Sequence, residues 1–322
     1  MPDTVASTRH LDPPAVRAGL SMGEAVDALG PALAAATRGE IDQPPRLVLD
    51  DGRVLVMAAT HGGTGDTVVK TVSVTLEHGG AAPAIVGIVL WLDGATGHAA
   101  FTADGAEVTA LRTGAVSGLA TSLLAAADAH RLTVLGSGRQ AAAQVEAMLA
   151  VRPIDDVTVF SRTPAHAVDF AARLLRRAPQ LTVRTADDAD TAVASADIVC
   201  CATSSREPLF RTSSLPATVH VNAVGSFRAD MSELPPDLLA AASAVVVDDV
   251  AGCLAESGEV AAALRDGLDA AALRPLGELA AAGSPAGVPR RTGRTVFKSV
   301  GCAVLDWAIA ARLAARTPAP LS

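Results

Sequence analysis

The spacing of hydrophobic and polar positions changes texture three times along the chain. From Ser21 to Arg38 apolar residues recur at helical spacing, with Ser21 as N-cap and Glu24 as its capping-box partner, and the segment runs toward Pro44-Pro45. Between Arg46 and Thr102 this gives way to short apolar runs separated by turns: RLVLDDGRVLVMAAT, VVKTVSVTL, AIVGIVLWLD and GHAAFTAD. With Asp51-Gly52 as a hairpin signal, the runs predict a mainly antiparallel sheet. Helical spacing returns from Ala110 to Ala127, a stretch rich in small residues. Beyond it, strands are predicted at 132–136, 156–161, 181–185, 196–203, 219–225 and 244–249, with helices from Gln140 to Leu149 and from Pro164 to Arg177. Continuous Val/Ile runs joined by helical crossovers predict a parallel sheet covered on both faces. A last helix is expected from Val300 to Ala315, before Pro318 and Pro320.

Composition narrows the partners. At 322 residues the chain exceeds what one core usually fills, so two domains or one large α/β unit are expected. Half the residues are hydrophobic and mean hydropathy is +0.35, but the excess is Ala, Val and Leu scattered between charges. No run approaches the roughly 18 apolar residues of a spanning helix, and MPDTVASTRHLDPPAVRAG lacks a secretory pattern. A cytoplasmic protein with no membrane partner is expected. The net charge of −8 argues against a nucleic-acid partner. Cys200, Cys201, Cys253 and Cys302 form no CxxC pair and have no histidine at ligand spacing, which predicts free thiols and no metal site. Tyrosine is absent, so any general acid is another side chain or water.

One motif carries chemistry in its own right. Leu132-Thr133-Val134-Leu135 runs into Gly136-Ser137-Gly138-Arg139-Gln140-Ala141, which fits G-x-G-x-x-A between a strand and a helix. The first glycine permits the tight turn, the second lets backbone approach a pyrophosphate, and Ala141 allows close helix–strand packing. Amides at the helix start then meet the phosphate charge. This identifies a Rossmann-type α/β domain, with Gly136, Ser137, Gly138, Arg139 and Gln140 as cofactor-binding candidates. A second strand ends about twenty residues on, where an NAD enzyme would place a carboxylate for the ribose 2′-hydroxyl. Here the chain reads Ser161-Arg162-Thr163. A guanidinium pairs with a 2′-phosphate whereas a carboxylate repels it, so NADP(H) is expected over NAD(H), the latter remaining possible. The other reading of Arg162 is a solvated loop position.

Several stretches together resemble the ornithine cyclodeaminase/mu-crystallin family: LRTGAVSGLA (111–120), VLGSGRQAAAQ (134–144), VNAVGSFRADMSELP (221–235), LGEL (276–279) and TVFKSVGCAVLD (295–306). The resemblance implies a mixed α+β substrate-binding and oligomerisation domain from residues 1–128 and 294–322, around a Rossmann domain at 129–293. It implies a homodimer through the N-terminal sheet. It also implies hydride transfer at a carbon that bears nitrogen beside a carboxylate.

By the same resemblance, Arg46, Lys70 and Arg112 form the substrate-carboxylate clamp, with catalytic roles for Lys70 and Arg112. The residues make sense of this independently: a cation between Val69 and Thr71 is costly unless paired, and Arg112 near a helix start opposes the helix dipole unless an anion is near. The plainer readings are loop surface for Arg46 and a snorkelling edge-strand position for Lys70. Gly225, Ser226 and Ser299 look like residues lining the nicotinamide pocket, against turn geometry and packing as the alternative. His61, His78 and His220 fall at no motif position, and Asp248-Asp249 reads as a strand-end cap.

The chain also departs from the family. Where cyclodeaminases carry an acid/base aspartate after the NAVGG-like turn, this chain has Phe227; Asp230 is three residues late and reads as a cap. An acidic residue expected near Met57 is absent, with Leu55 and Val56 there instead. These departures favour an NAD(P)H-dependent reductase of small α-imino carboxylates such as pyrroline-2-carboxylate or piperideine-2-carboxylate. An ornithine/lysine cyclodeaminase or amino-acid dehydrogenase, and a nonenzymatic NADPH-dependent small-molecule binder, stand as the other readings.

Overall fold

The computed structural model describes residues 8–75, 84–283 and 293–316; His78, Pro318 and Pro320 lie outside them. The chain divides into two compact units, Met1–Arg112 with Cys302–Ser322, and Thr113–Gly301. The expected boundaries at 128/129 and 293/294 both fall inside the second unit.

In the first unit the short strand β1 (Arg9–Leu11) and helix α1 (Pro13–Gly19) precede the segments expected from the pattern. Their local signal is Asp12 before two prolines: the Asp12 carboxylate accepts the Ala15 N–H at 2.9 Å. Helix α2 (Met22–Thr37) begins at the expected capping box, with the Ser21 N–H donating to Glu24 Oε2 at 3.0 Å. Strands β2 (Ile41–Asp42), β3 (Leu47–Leu49), β4 (Val54–His61), β5 (Thr67–Val74), β6 (Ile85–Leu92) and β7 (Ala99–Asp104) follow. The sheet order is β1-β7-β6-β5-β4-β2, with β3 also on β4; every pair is antiparallel except β1–β7. The Asp51-Gly52 signal closes the β3–β4 hairpin, in which Leu49 pairs with Val54. Asp50 and Asp51 both adopt φ of 51° there and Gly52 86°, a left-handed region that Asp and Gly tolerate. On β5 the buried positions alternate as Val68, Lys70, Val72 and Val74, so Lys70 takes an inward place among valines.

Helix α3 (Gly105–Leu124) starts five residues before the expected Ala110. The Asp104 carboxylate accepts the Glu107 N–H at 2.7 Å and closes the first turn there. Arg112 therefore lies two turns inside the helix and not near its start.

The second unit holds β8 (Arg131–Leu135), α4 (Arg139–Val151), β9 (Asp156–Phe160), α5 (Pro164–Arg177), β10 (Thr182–Thr185), α6 (Ala189–Val193), β11 (Ile198–Cys201) and β12 (Val219–Ala223). It continues through α7 (Pro236–Ala241), β13 (Ala244–Val247), α8 (Val250–Glu256), α9 (Gly258–Arg265), β14 (Leu273–Pro275), α10 (Leu276–Ala281) and β15 (Arg294–Lys298). All strands are parallel, in the order β10-β9-β8-β11-β12-β15-β13-β14. The winding direction reverses between β8 and β11, the switch point of a doubly wound sheet. Strands β14 and β15 were not expected from the pattern. The first is three residues long, and in the second the charged Arg294 and Lys298 leave only Thr295, Val296 and Phe297 between them, although Lys298 is itself buried.

The chain returns to the first unit with α11 (Ala303–Ala314), which packs on α2 and β5. All four cysteines are free and buried. Among the described residues no helix is long and apolar enough to cross a membrane.

Candidate active site

Two of the three clamp candidates meet in the interior of the first unit. Lys70, on β5, is 1% exposed. Its Nζ donates to Asp306 Oδ1 at 2.8 Å and lies 2.6 Å from Oδ2. Arg112, 7% exposed on α3, brings Nε to 3.7 Å from the same Asp306 Oδ1. That Nε has no hydrogen-bond partner among the described residues. Arg46, half-buried just before β3, is close enough to repel a charge on Lys70. Burial lowers the Lys70 pKa to about 8; Asp306 pulls it up, while Arg112 and Arg46 push it further down. Lys70 is thus no snorkelling edge residue, since β5 lies between β4 and β6. Asp306, fully buried on α11, was not singled out from the sequence. The available signal was a lone aspartate in AVLDWAIAA, an otherwise apolar helical run.

In the second unit the glycine turn has the shape a pyrophosphate needs. Gly136 has φ of 119°, and a Cβ there would lie 2.5 Å from the Ala202 carbonyl oxygen. Gly138 is the N-cap of α4, without a side-chain cap bond, and a Cβ there would meet nothing within 4 Å. Buried Gln140 Oε1 has no hydrogen-bond partner among the described residues. A cradle kept open by glycine at the start of a 13-residue helix fits a dinucleotide phosphate. The end of β9 lies alongside this turn: Ser137 Oγ donates to Ser161 Oγ at 3.2 Å, and the Gly136 N–H donates to the Phe160 carbonyl at 2.8 Å. Arg162 and Thr163 are exposed at that strand end, and Arg139 is exposed at the helix start. Arg173, not foreseen, donates from α5 to the Ser137 carbonyl at 3.3 Å.

The remaining candidates sit deeper than expected. Ser226 is fully buried and donates its hydroxyl to Glu259 Oε1 at 2.6 Å; Lys298 Nζ donates to Ser226 and lies 3.1 Å from Glu259. Ser299, also buried, donates to Asp248 Oδ2 at 2.7 Å. Both hydroxyls are therefore engaged within the protein. Gly225 is held by Glu233, whose Oε2 accepts its N–H at 2.7 Å. Asp249 caps α8, while Asp248 accepts from Ser299 and the Gly301 N–H. Asp230 does not cap a helix: it is a surface acid paired with Arg228 and Arg206, because Pro235 already stands at the start of α7. Phe227 packs against the apolar core. His220 is a core histidine bonded to Thr295 and Asn222, its pKa pushed down by burial to about 3, and His61 stacks on Trp307.

A doubly wound parallel sheet with this glycine turn defines the dinucleotide-binding class of α/β proteins. The sequence profile of the ornithine cyclodeaminase/mu-crystallin family matches residues 11–317, and the chain belongs to that family. It is 36% identical over 264 residues to a Δ1-pyrroline-2-carboxylate reductase of Bacillus cereus, spanning 81% of this chain and 80% of the relative. It is 34% identical over 282 residues to the Δ1-pyrroline-2-carboxylate/Δ1-piperideine-2-carboxylate reductase of Azospirillum brasilense, spanning 87% and 86%. Its fold matches that of the Thermococcus litoralis Δ1-pyrroline-2-carboxylate reductase, solved with NADH and L-proline, at a TM-score of 0.89 and 29% identity over 96% of this chain and 97% of that one.

Proposed function

We propose that the chain is an NAD(P)H-dependent reductase of small α-imino carboxylates, with pyrroline-2-carboxylate and piperideine-2-carboxylate as the substrate type. The observation that carries this is a charge imbalance. Among the described residues Lys70 and Arg112 are two buried cations set against one carboxylate, Asp306, and Arg112 Nε lacks an acceptor. A small acid group supplies the missing charge and the missing acceptor. The relatives named above fit that substrate.

Reduced nicotinamide, when bound, supplies the hydride. The chain's own work is to hold the acid group, fix its orientation and keep a proton within reach of the substrate nitrogen. Arg112 and Arg46 grip the carboxylate, and Asp306 keeps Lys70 in place and charged, so that its ammonium delivers or relays the proton. Gly136, Ser137 and Gly138 with the first amides of α4 hold the pyrophosphate. Exposed Leu47, Val48, Leu49, Val86 and Ile88 on the first unit's sheet suit the homodimer that the family resemblance implies.

Absorbance at the reduced-nicotinamide band, read with a panel of cyclic imines and both coenzymes, tests the reading. Coenzyme oxidation with the imines, and no ammonia from ornithine, is expected. Ammonia release would mean a cyclodeaminase, and coenzyme binding without turnover a nonenzymatic binder. NADP(H) preference rests on Ser161-Arg162-Thr163, which offers a cation and no acid at the end of β9. Arg162→Ala is expected to raise KM for NADPH by about 10- to 100-fold, the worth of one charge-assisted contact, and to leave NADH nearly unchanged. An unaltered ratio of the two would remove Arg162 from the assignment.

A further inference from the structure

We propose that Glu233 is a positioning residue for the nicotinamide half of the coenzyme, its carboxylate locking together the two chain segments that follow β11 and β12. The proposal rests on the dinucleotide reading above.

Glu233 is fully buried in the stretch between β12 and α7. Its Oε1 accepts the Thr203 N–H at 2.6 Å and the Thr203 hydroxyl at 2.9 Å. Its Oε2 accepts the Gly225 N–H at 2.7 Å and the Ser226 N–H at 3.3 Å. One carboxylate therefore satisfies four donors from two segments, each leaving the C-terminal end of a neighbouring strand. The segments also touch: a Cβ on Gly225 would fall 2.1 Å from the Thr203 carbonyl oxygen and 2.5 Å from Glu233 Oε1. The row extends to the glycine turn, where a Cβ on Gly136 would fall 2.5 Å from the Ala202 carbonyl oxygen. Thus the ends of β8, β11 and β12 lie side by side at the switch point, where ligands of doubly wound sheets bind.

A dinucleotide with its pyrophosphate at Gly136–Gly138 has its second half along this row. The hydroxyls of Ser226 and Ser299 are engaged elsewhere. What the segments offer a ring is therefore their backbone shape, and that shape is what Glu233 fixes. The adenine half lies toward β9 and does not depend on it.

Glu233→Gln keeps the size but turns an NH2 toward N–H donors, so part of the lock opens. Thr203→Val removes one donor and leaves the carboxylate intact; it carries the test if the first variant does not fold. Calorimetric titration would compare NADP+ and NAD+ with their adenine halves, adenosine 2′,5′-bisphosphate and AMP. Glu233→Gln is expected to weaken the whole dinucleotides by about tenfold or more and the halves by less than about twofold; Thr203→Val gives a smaller shift of the same kind. Equal weakening of wholes and halves, or no change in either, overturns the proposal while leaving the dinucleotide reading in place. A wild-type protein that binds none of the four overturns both.

Discussion

Replacing Lys70 with Met is expected to lower kcat/KM for a cyclic imino acid by about 10³-fold, within the range for losing a positioned general acid. Methionine matches the length of the lysine stem, so the inward position among Val68 and Val72 stays filled while the ammonium is lost. Part of the effect is weaker binding, since one of the buried cations disappears. The rest is the proton, and a pH profile separates the two. Burial holds Lys70 at about 8, so wild-type kcat/KM should fall as pH rises through that value, by about tenfold per unit beyond it. The charged or titratable groups on the elements packed around Lys70 are Asp306 and Arg312 on α11, Arg112 and Glu107 on α3, His61 on β4 and Arg46 before β3; of these Asp306, Arg112 and Arg46 are the ones that act on it. Lys70→Arg keeps a charge that does not titrate in this range and should lose the alkaline limb while retaining substrate affinity. The limb is not unfolding driven by this group. Between about 8 and the ordinary lysine value of 10.5 the folded state binds fewer protons than the unfolded one, so the Lys70 contribution to stability rises with pH there. A Lys70→Met enzyme with normal turnover would end the proton role.

Where chemistry and local pattern coincide in sequence, the chain is legible. The glycine turn follows a buried strand and starts a helix, the Ser21–Glu24 box starts another, and Pro164 to Arg177 is a helix with the observed ends. The clamp candidates Lys70 and Arg112 are marked by family resemblance and by the cost of burying a cation. What stayed hidden depends on distant partners. Asp306 meets Lys70 across 236 positions, and Glu233 collects donors from Thr203 and Gly225, 30 and 8 positions away. No periodicity reports such meetings, and a buried acid in an apolar run is the sole local mark. The nicotinamide candidates show the converse. Ser226 and Ser299 stand in family-like stretches, yet their hydroxyls are satisfied by Glu259 and Asp248, which only packing reveals. Short strands fail for a further reason: β14 has three residues, too few to show a period.

Asp306→Ala is expected to lower stability by about 3–5 kcal/mol, the range for removing one member of a buried ion pair. Without the carboxylate, Lys70 and Arg112 are two cations in the interior of the first unit with no anion between them. The lysine then sheds its proton, because the group that raised its pKa is gone while burial, Arg112 and Arg46 still lower it. The alkaline limb of activity should therefore move to lower pH in whatever enzyme remains folded, most clearly in Asp306→Asn, which keeps the shape. Urea unfolding followed by circular dichroism reads the stability loss as a lower midpoint. A paired variant separates the ion pair from packing: Lys70→Met with Asp306→Leu replaces both charges by apolar groups and should regain a good part of the midpoint, yet remain inactive because the proton donor is absent. Should Asp306→Ala unfold within about 1 kcal/mol of wild type, Asp306 would not be the counter-charge of the cluster, and the excess of positive charge that calls for an acid substrate would be larger than one.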